Sequence, residues 1–207
     1  MQPTEQDIIK AYNVAKQSGA DSTCKVLEAL YPSIDFTPKD NRPVEERIKT
    51  FEDAVNALGY EHPFVVSYNI MTERFNPQTD DADIIAYLKL RIIVAALNEG
   101  WEPQFTEDEW RWYPWYNLYT DAELAEKSDE WKQKHTILDL HDRRVVGRSD
   151  SNSYASGGLV FASAFIVSSY SHTSFGSRLA FKSEALATYA GKQFIELYAD
   201  MNIGRNI

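Results

Sequence analysis

A chain of 207 residues, 43% hydrophobic and 25% charged, has the composition of a folded globular protein and not of a disordered one. Folding at this length buries roughly 70% of the surface the unfolded chain exposes, so neither a disulfide framework nor a structural metal is required. The formal charge of −10 is uneven, because eight Lys/Arg face six Asp/Glu from Lys134 to Ile207 and −12 is left on residues 1–133; that acidic portion argues against general nucleic-acid binding.

Residues 1–60 read as a region of short helices joined by proline-marked connections. Thr4 precedes an acidic first turn and the series Ile8, Ile9, Tyr12, Ala15, which predicts a capped helix ending at Ser18-Gly19. A second helix is expected from about Ser22 to Leu30, stopped by Pro32. "TFEDAVNALG" repeats the grammar, with Thr50 as cap, acids in the first turn, and Gly59 as terminator. The start "MQPTEQDIIK" is polar and acidic where a signal peptide would be basic and then apolar, and Cys24, alone in the sequence, cannot form an internal disulfide. The longest apolar run, "IIVAAL" from Ile92, is too short to span a bilayer. These features set the expectation of a cytoplasmic protein with no membrane association.

Residues 61–207 read as the core domain. In "DADIIAYLKLRIIVAALNEGW", Asp81 can cap, Ile84, Ile85, Leu88, Ile92, Ala95 and Ala96 recur at helical spacing, and Gly100 suits the left-handed position after the last turn. Further apolar residues on its other sides predict a central helix wrapped by neighbours. Eight aromatic residues then fall between Trp101 and Tyr119, with "EWRWYPWYNLYT" the densest stretch. Pro114 interrupts any ladder or helix there, so the segment is expected as an aromatic loop plastered against the central helix. A charged helical stretch follows from Thr120. From about Val145, "GGLVFASAFIVSSYSHTS" and "SRLAFKS" are short and β-prone, predicting antiparallel strands, and "SEALATYAGKQFIELYADM" predicts a closing helix with Ser183 as cap and a stripe of Leu186, Ala190, Phe194, Leu197 and Met201. The expected class is α+β: a helical N-terminal part, a central buried helix, then a small antiparallel sheet packed by a C-terminal helix.

The stretches "ALNEGWEPQF", "YPWYNLYT" and "SRLAFKSEALATYAGKQFIELY" resemble a family of small uncharacterised proteins of Bacteroides-type gut bacteria and their phages. The likeness covers roughly the last 130 residues together with "IKTFEDAVNALG". It implies a context, that of a phage or prophage accessory protein in the bacterial cytoplasm or on a virion, and transfers no catalytic residue, ligand or cofactor.

Aromatic faces can hold flat rings by stacking, which makes Trp112, Trp115 and Tyr116, with Arg111 nearby, the candidate ligand-binding group for a nucleotide-like molecule. Glu107, Asp108 and Glu109 just upstream oppose an incoming phosphate, and burial of the rings against the core is the competing reading. Arg143 and Arg144, with Arg148, form a basic cluster beside Asp139, Asp142 and Asp150, and are the second candidate anion contact. Asp139 and His141 share one face if "HTILDLHDRRVVGR" is a strand, an acid–base pairing that would serve a hydrolase; no activated nucleophile or third metal ligand accompanies it. No phosphate loop, dinucleotide fingerprint, zinc-protease helix, nucleophile elbow or paired-cysteine spacing occurs. No cofactor or metal is expected. The leading functional expectation is therefore a non-enzymatic phage or prophage protein that contacts another protein or itself, followed by a small-ligand module using the aromatic segment, and last by a hydrolase using Asp139 and His141.

Overall fold

The computed structural model describes residues 3–36, 40–76, 81–104, 106, 109–141, 157–168 and 177–203. The chain divides into two compact units, Met1–Arg42 and Pro43–Ile207. The boundary lies ahead of residue 60 because Val44, Ile48, Ala54 and Val55 are buried in the same cluster as the central helix.

In the first unit, α1 (Glu5–Gln17) and α2 (Asp21–Leu30) pack on each other. Thr4 caps α1, as the sequence predicts, and closes a reciprocal box with Asp7. Ile8, Tyr12, Ala15, Cys24 and Phe36 form its small core. Tyr12 stacks on Phe36 with ring centroids 4.4 Å apart and donates its hydroxyl to Glu28 at 2.6 Å. That carboxylate acceptor pushes the Tyr12 pKa up to about 12.

The second unit opens with α3 (Val44–Arg47), α4 (Phe51–Leu58) and α5 (Pro63–Thr72), which lead to the central helix α6 (Ala82–Asn98). Thr50 caps α4 through a box with Asp53, and Pro63 occupies the first turn of α5, where its missing N–H leaves no bond unmade. Leu90, Ile92, Ile93 and Leu97 have no exposed surface, and α4, α5 and α10 all pack on α6. The expected wrapped helix is therefore present. Its ends differ from expectation: Asp81 makes no side-chain cap and instead accepts the Asn76 N–H at 3.2 Å, and the left-handed turn begins at Glu99 (φ 50, ψ 47) before Gly100 (φ 86). A non-glycine residue is held in that conformation by its carboxylate, which pairs with Arg47 and with Lys182.

The aromatic segment is not a loop. Trp110–Tyr119 form β1, a ten-residue strand whose register against its partner shifts by one residue between Trp115 and Tyr116, followed by α7 (Asp121–Ala125), α8 (Asp129–Lys134), β2 (Ile137–Asp139) and β3 (Gly158–Ser168). The sheet has the order β1-β3-β2 and both pairings are antiparallel. β1 packs chiefly on β3 and α9, and its Tyr113, Trp112 and Tyr116 join the same apolar cluster as Leu90, Ile93 and Leu97 of the central helix.

"SRLAFKS" forms a 3-10 turn at Ser177–Leu179 and one bridge, Phe181 to Trp112, in place of a full strand. The closing helix is two helices, α9 (Glu184–Gln193) and α10 (Ile195–Ile203), because Phe194 at the break leaves helical geometry (φ −114, ψ 29). The break lets α9 lie on the sheet while α10 turns to α6. Ser183 caps α9 as predicted. The architecture is α+β, helical at the N-terminal side with a small antiparallel sheet covered by the C-terminal helices.

Candidate functional site

Alternation along β1 sets the site. Pro114 and Tyr116 face α9: a Cβ added to Gly191 of that helix would stand 2.8 Å from Pro114 Cβ, and Tyr116 donates its hydroxyl to Gly191 O at 2.8 Å. Tyr113 and Trp115 alternate with them onto the opposite face, opposite Phe165 and Ser163 of β3.

The backbone alternates as well. Trp112 exchanges both of its backbone hydrogen bonds with Phe181, at 3.1 and 2.9 Å, on the edge of β1 away from β3. Residues 114, 116 and 118 therefore direct their backbone groups to that same outer edge. Phe161 N–H donates to Thr136 on the β2 side and Gly157 N–H to Tyr119 O, which fixes the phase at the other end. Pro114 is tolerated inside a strand because its missing N–H falls on this outer edge, where no ladder bond is due. Beyond Phe181, the outward N–H and C=O groups of Tyr116 and Leu118 have no hydrogen-bond partner among the described residues.

A cavity of about 200 Å³ lies along this edge. Four consecutive residues, Tyr113 to Tyr116, line it, which places it at the edge, since a cavity over one face of a strand meets only alternate side chains. Leu118, Leu159 and Leu179 continue the wall, and α10 closes it with Tyr198, Met201, Asn202 and Ile203. Burial pushes the Tyr116 and Tyr198 hydroxyls far above the ordinary phenol range, so both stay neutral. Tyr198 is 4% exposed and its hydroxyl has no hydrogen-bond partner among the described residues. Among the described residues, none that lines it carries a charge.

The sequence candidates separate. Trp115 and Tyr116 line the cavity; Trp112 packs against the main core cluster; Arg111 is fully buried, is engaged by other groups, and does not line the cavity. Burial raises the Tyr113 pKa, while the Arg111 charge lowers it and Glu109 raises it, which locates both charges near that hydroxyl. Arg143 and Arg144 lie outside the described residues, as do Arg148, Asp142 and Asp150.

Asp139 and His141 do meet, although only Ile137–Asp139 are strand and His141 is in the following turn. The imidazole bridges two carboxylates, its Nδ1 on Asp139 and its Nε2 on Asp121 Oδ1 at 2.7 Å. The hydrogen bond to Asp139, followed by the charges of Asp121 and Asp139, raises the His141 pKa. Both ring nitrogens are thus committed as donors, which suits a tie between α7 and β2 better than a general base. Among the described residues no group of three metal-ligating side chains forms, and no helix is long and apolar enough to cross a membrane.

Sequence reading missed Tyr198, Gly191 and Asn98. Tyr198 lies one position from the predicted stripe, and the spacing of Ile195, Tyr198, Ala199 and Ile203 carries the signal once α10 is treated as a separate helix. Asn98, 3% exposed, donates to Ala180 O at 2.8 Å and accepts the Lys182 N–H at 3.1 Å, tying α6 to the segment that bridges β1. Compared with family models, curated proteins and solved structures, the chain matches none.

Proposed function

We propose that the protein acts without catalysis, by contacting another protein through the aromatic strand, as an accessory protein of a phage or prophage. The observation that carries this reading is the exposure of large rings on a rigid sheet: Trp110 is 61%, Trp115 45% and Phe165 41% exposed, and Trp115 packs on Phe165 with centroids 5.4 Å apart. Tryptophan on a preorganised element is the side chain most enriched among residues that dominate binding energy. A second apolar surface on α5, with Val66, Ile70 and Met71 exposed, is aliphatic and lacks such anchors.

The nucleotide-like reading finds less support, since Arg111 is buried away from the cavity and, among the described residues, no cation lines it. The hydrolase reading is weakened by the engagement of both His141 nitrogens. Affinity capture tests the leading reading, using the intact protein and a Trp110→Ser, Trp115→Ser, Phe165→Ser variant as bait in host and virion lysates. The intact protein retains a specific partner that the variant loses at unchanged circular dichroism. A strictly monomeric protein that captures nothing, or equal capture by the variant, removes the reading.

A further inference from the structure

We propose that the cavity between the outer edge of β1 and α10 is a binding site for a neutral, single-ring molecule carrying an amide-type pair, an N–H beside a C=O. The inference goes beyond the protein-contact reading, with which it shares Trp115 alone: that reading uses the exposed rings, and this one the cavity behind them.

Three features of the wall select this chemistry. First, the cavity holds about 200 Å³ and its wall is mostly hydrocarbon from Pro114, Trp115, Leu179 and Met201. That is below the 300–1,000 Å³ typical of drug-sized ligands and fits a fragment-sized body. Second, none of the described lining residues is charged, and the tyrosines are held neutral, so an ionised ligand would lose its hydration with none of these groups to replace it. Third, although the Tyr116 hydroxyl donates to Gly191 O and the Asn202 side chain to Tyr198 O, a donor–acceptor set remains at the wall. Among the described residues, Tyr116 C=O and Leu118 N–H point out of the same strand edge with no partner, and the Tyr198 hydroxyl is buried without one.

A strand edge with an unpaired C=O at one residue and N–H two residues on is complementary to a planar amide, which supplies a donor and an acceptor on adjacent atoms. A third hydrogen bond from Tyr198 would satisfy a hydroxyl that the fold alone leaves empty. The site thus reads a lactam edge by backbone and a ring by shape. Phe181 occupies the same edge at Trp112, which confines the ligand to the stretch from Pro114 to Leu118.

The test uses the full-length protein labelled with ¹⁵N and three probes: 2-pyridone, 1-methyl-2-pyridone, which lacks the N–H donor, and toluene, which lacks both groups. On titration with 2-pyridone the Leu118 and Tyr116 amide resonances shift in a saturable manner, with affinity about tenfold above that of the methylated probe. Tyr198→Phe, isosteric and able to pack as before, weakens 2-pyridone about fivefold. Met201→Trp, which fills the cavity, abolishes the shifts at retained circular dichroism. The proposal is overturned if 2-pyridone leaves both amides unmoved, if toluene binds as well as 2-pyridone, or if the filled variant still binds.

Discussion

Asn98 shows how one polar side chain can join distant parts of a chain. Its amide imitates a peptide group, donating to Ala180 and accepting from Lys182, 82 and 84 residues away. Asn98→Ala leaves a buried carbonyl and a part-buried N–H without partners, a loss of about 3 kcal/mol that urea denaturation will read as a lowered midpoint. Asn98→Asp also destabilises, since a carboxylate cannot donate to Ala180 O. His141 is a surface counterpart whose contribution depends on pH. Its folded-state pKa is raised above the ordinary 6.5, so the stabilisation is fully present below about 6.5 and is lost as pH rises through the folded value. Asp139 is shifted the other way, lowered from 3.8 by the His141 backbone and ring, so its share is present above that value and is lost as the pH falls through the lowered one. An NMR titration of His141 will give a midpoint above 6.5, and Asp139→Asn will move it down; an unmoved midpoint contradicts the pairing.

At the scale of elements, local signals were legible wherever the cause was local. Both the Thr4 and Thr50 boxes are visible as a threonine followed three residues later by an acid, and Thr50→Ala is expected to cost about 1 kcal/mol by thermal unfolding. The strand character of β1 was not legible, because Pro114 reads as a breaker until one knows which edge of the strand lacks a ladder partner and which pairs with β3. The contact between α9 and the sheet was equally hidden. Gly191 carries no side chain where a Cβ would stand 2.6 Å from the Phe161 ring and 2.8 Å from Pro114. Gly191→Ala gains up to about 1 kcal/mol in helix propensity and loses about 1–3 kcal/mol to overpacking. Packing wins, and the variant is expected to melt at lower temperature than the parent.

At the scale of the whole molecule, the two units differ in what sustains them. Among the described residues, 1–42 have five buried hydrophobic side chains, whereas 43–207 contain the large cluster running from Val44 to Tyr198. A chain near 40 residues rarely supplies enough burial to fold unaided. A fragment spanning 43–207 is therefore expected to unfold in one cooperative denaturant transition, and a 1–42 fragment to show little helix by circular dichroism. A cooperative 1–42 fragment would contradict that account of its stability.

The sequence by itself determined the helices with their caps, the central position of Ala82–Asn98, and the α+β class, because periodicity and capping depend on residues within a few positions of one another. Only the tertiary structure decided that the aromatic segment is an edge strand, that the last helix breaks at Phe194, that Arg111 is interior, and that Tyr116 and Tyr198 meet across a cavity. Strand pairing joins residues about fifty positions apart, as Trp112 with Ile166, and which backbone edge remains unpaired is a property of the assembled sheet, not of any one segment.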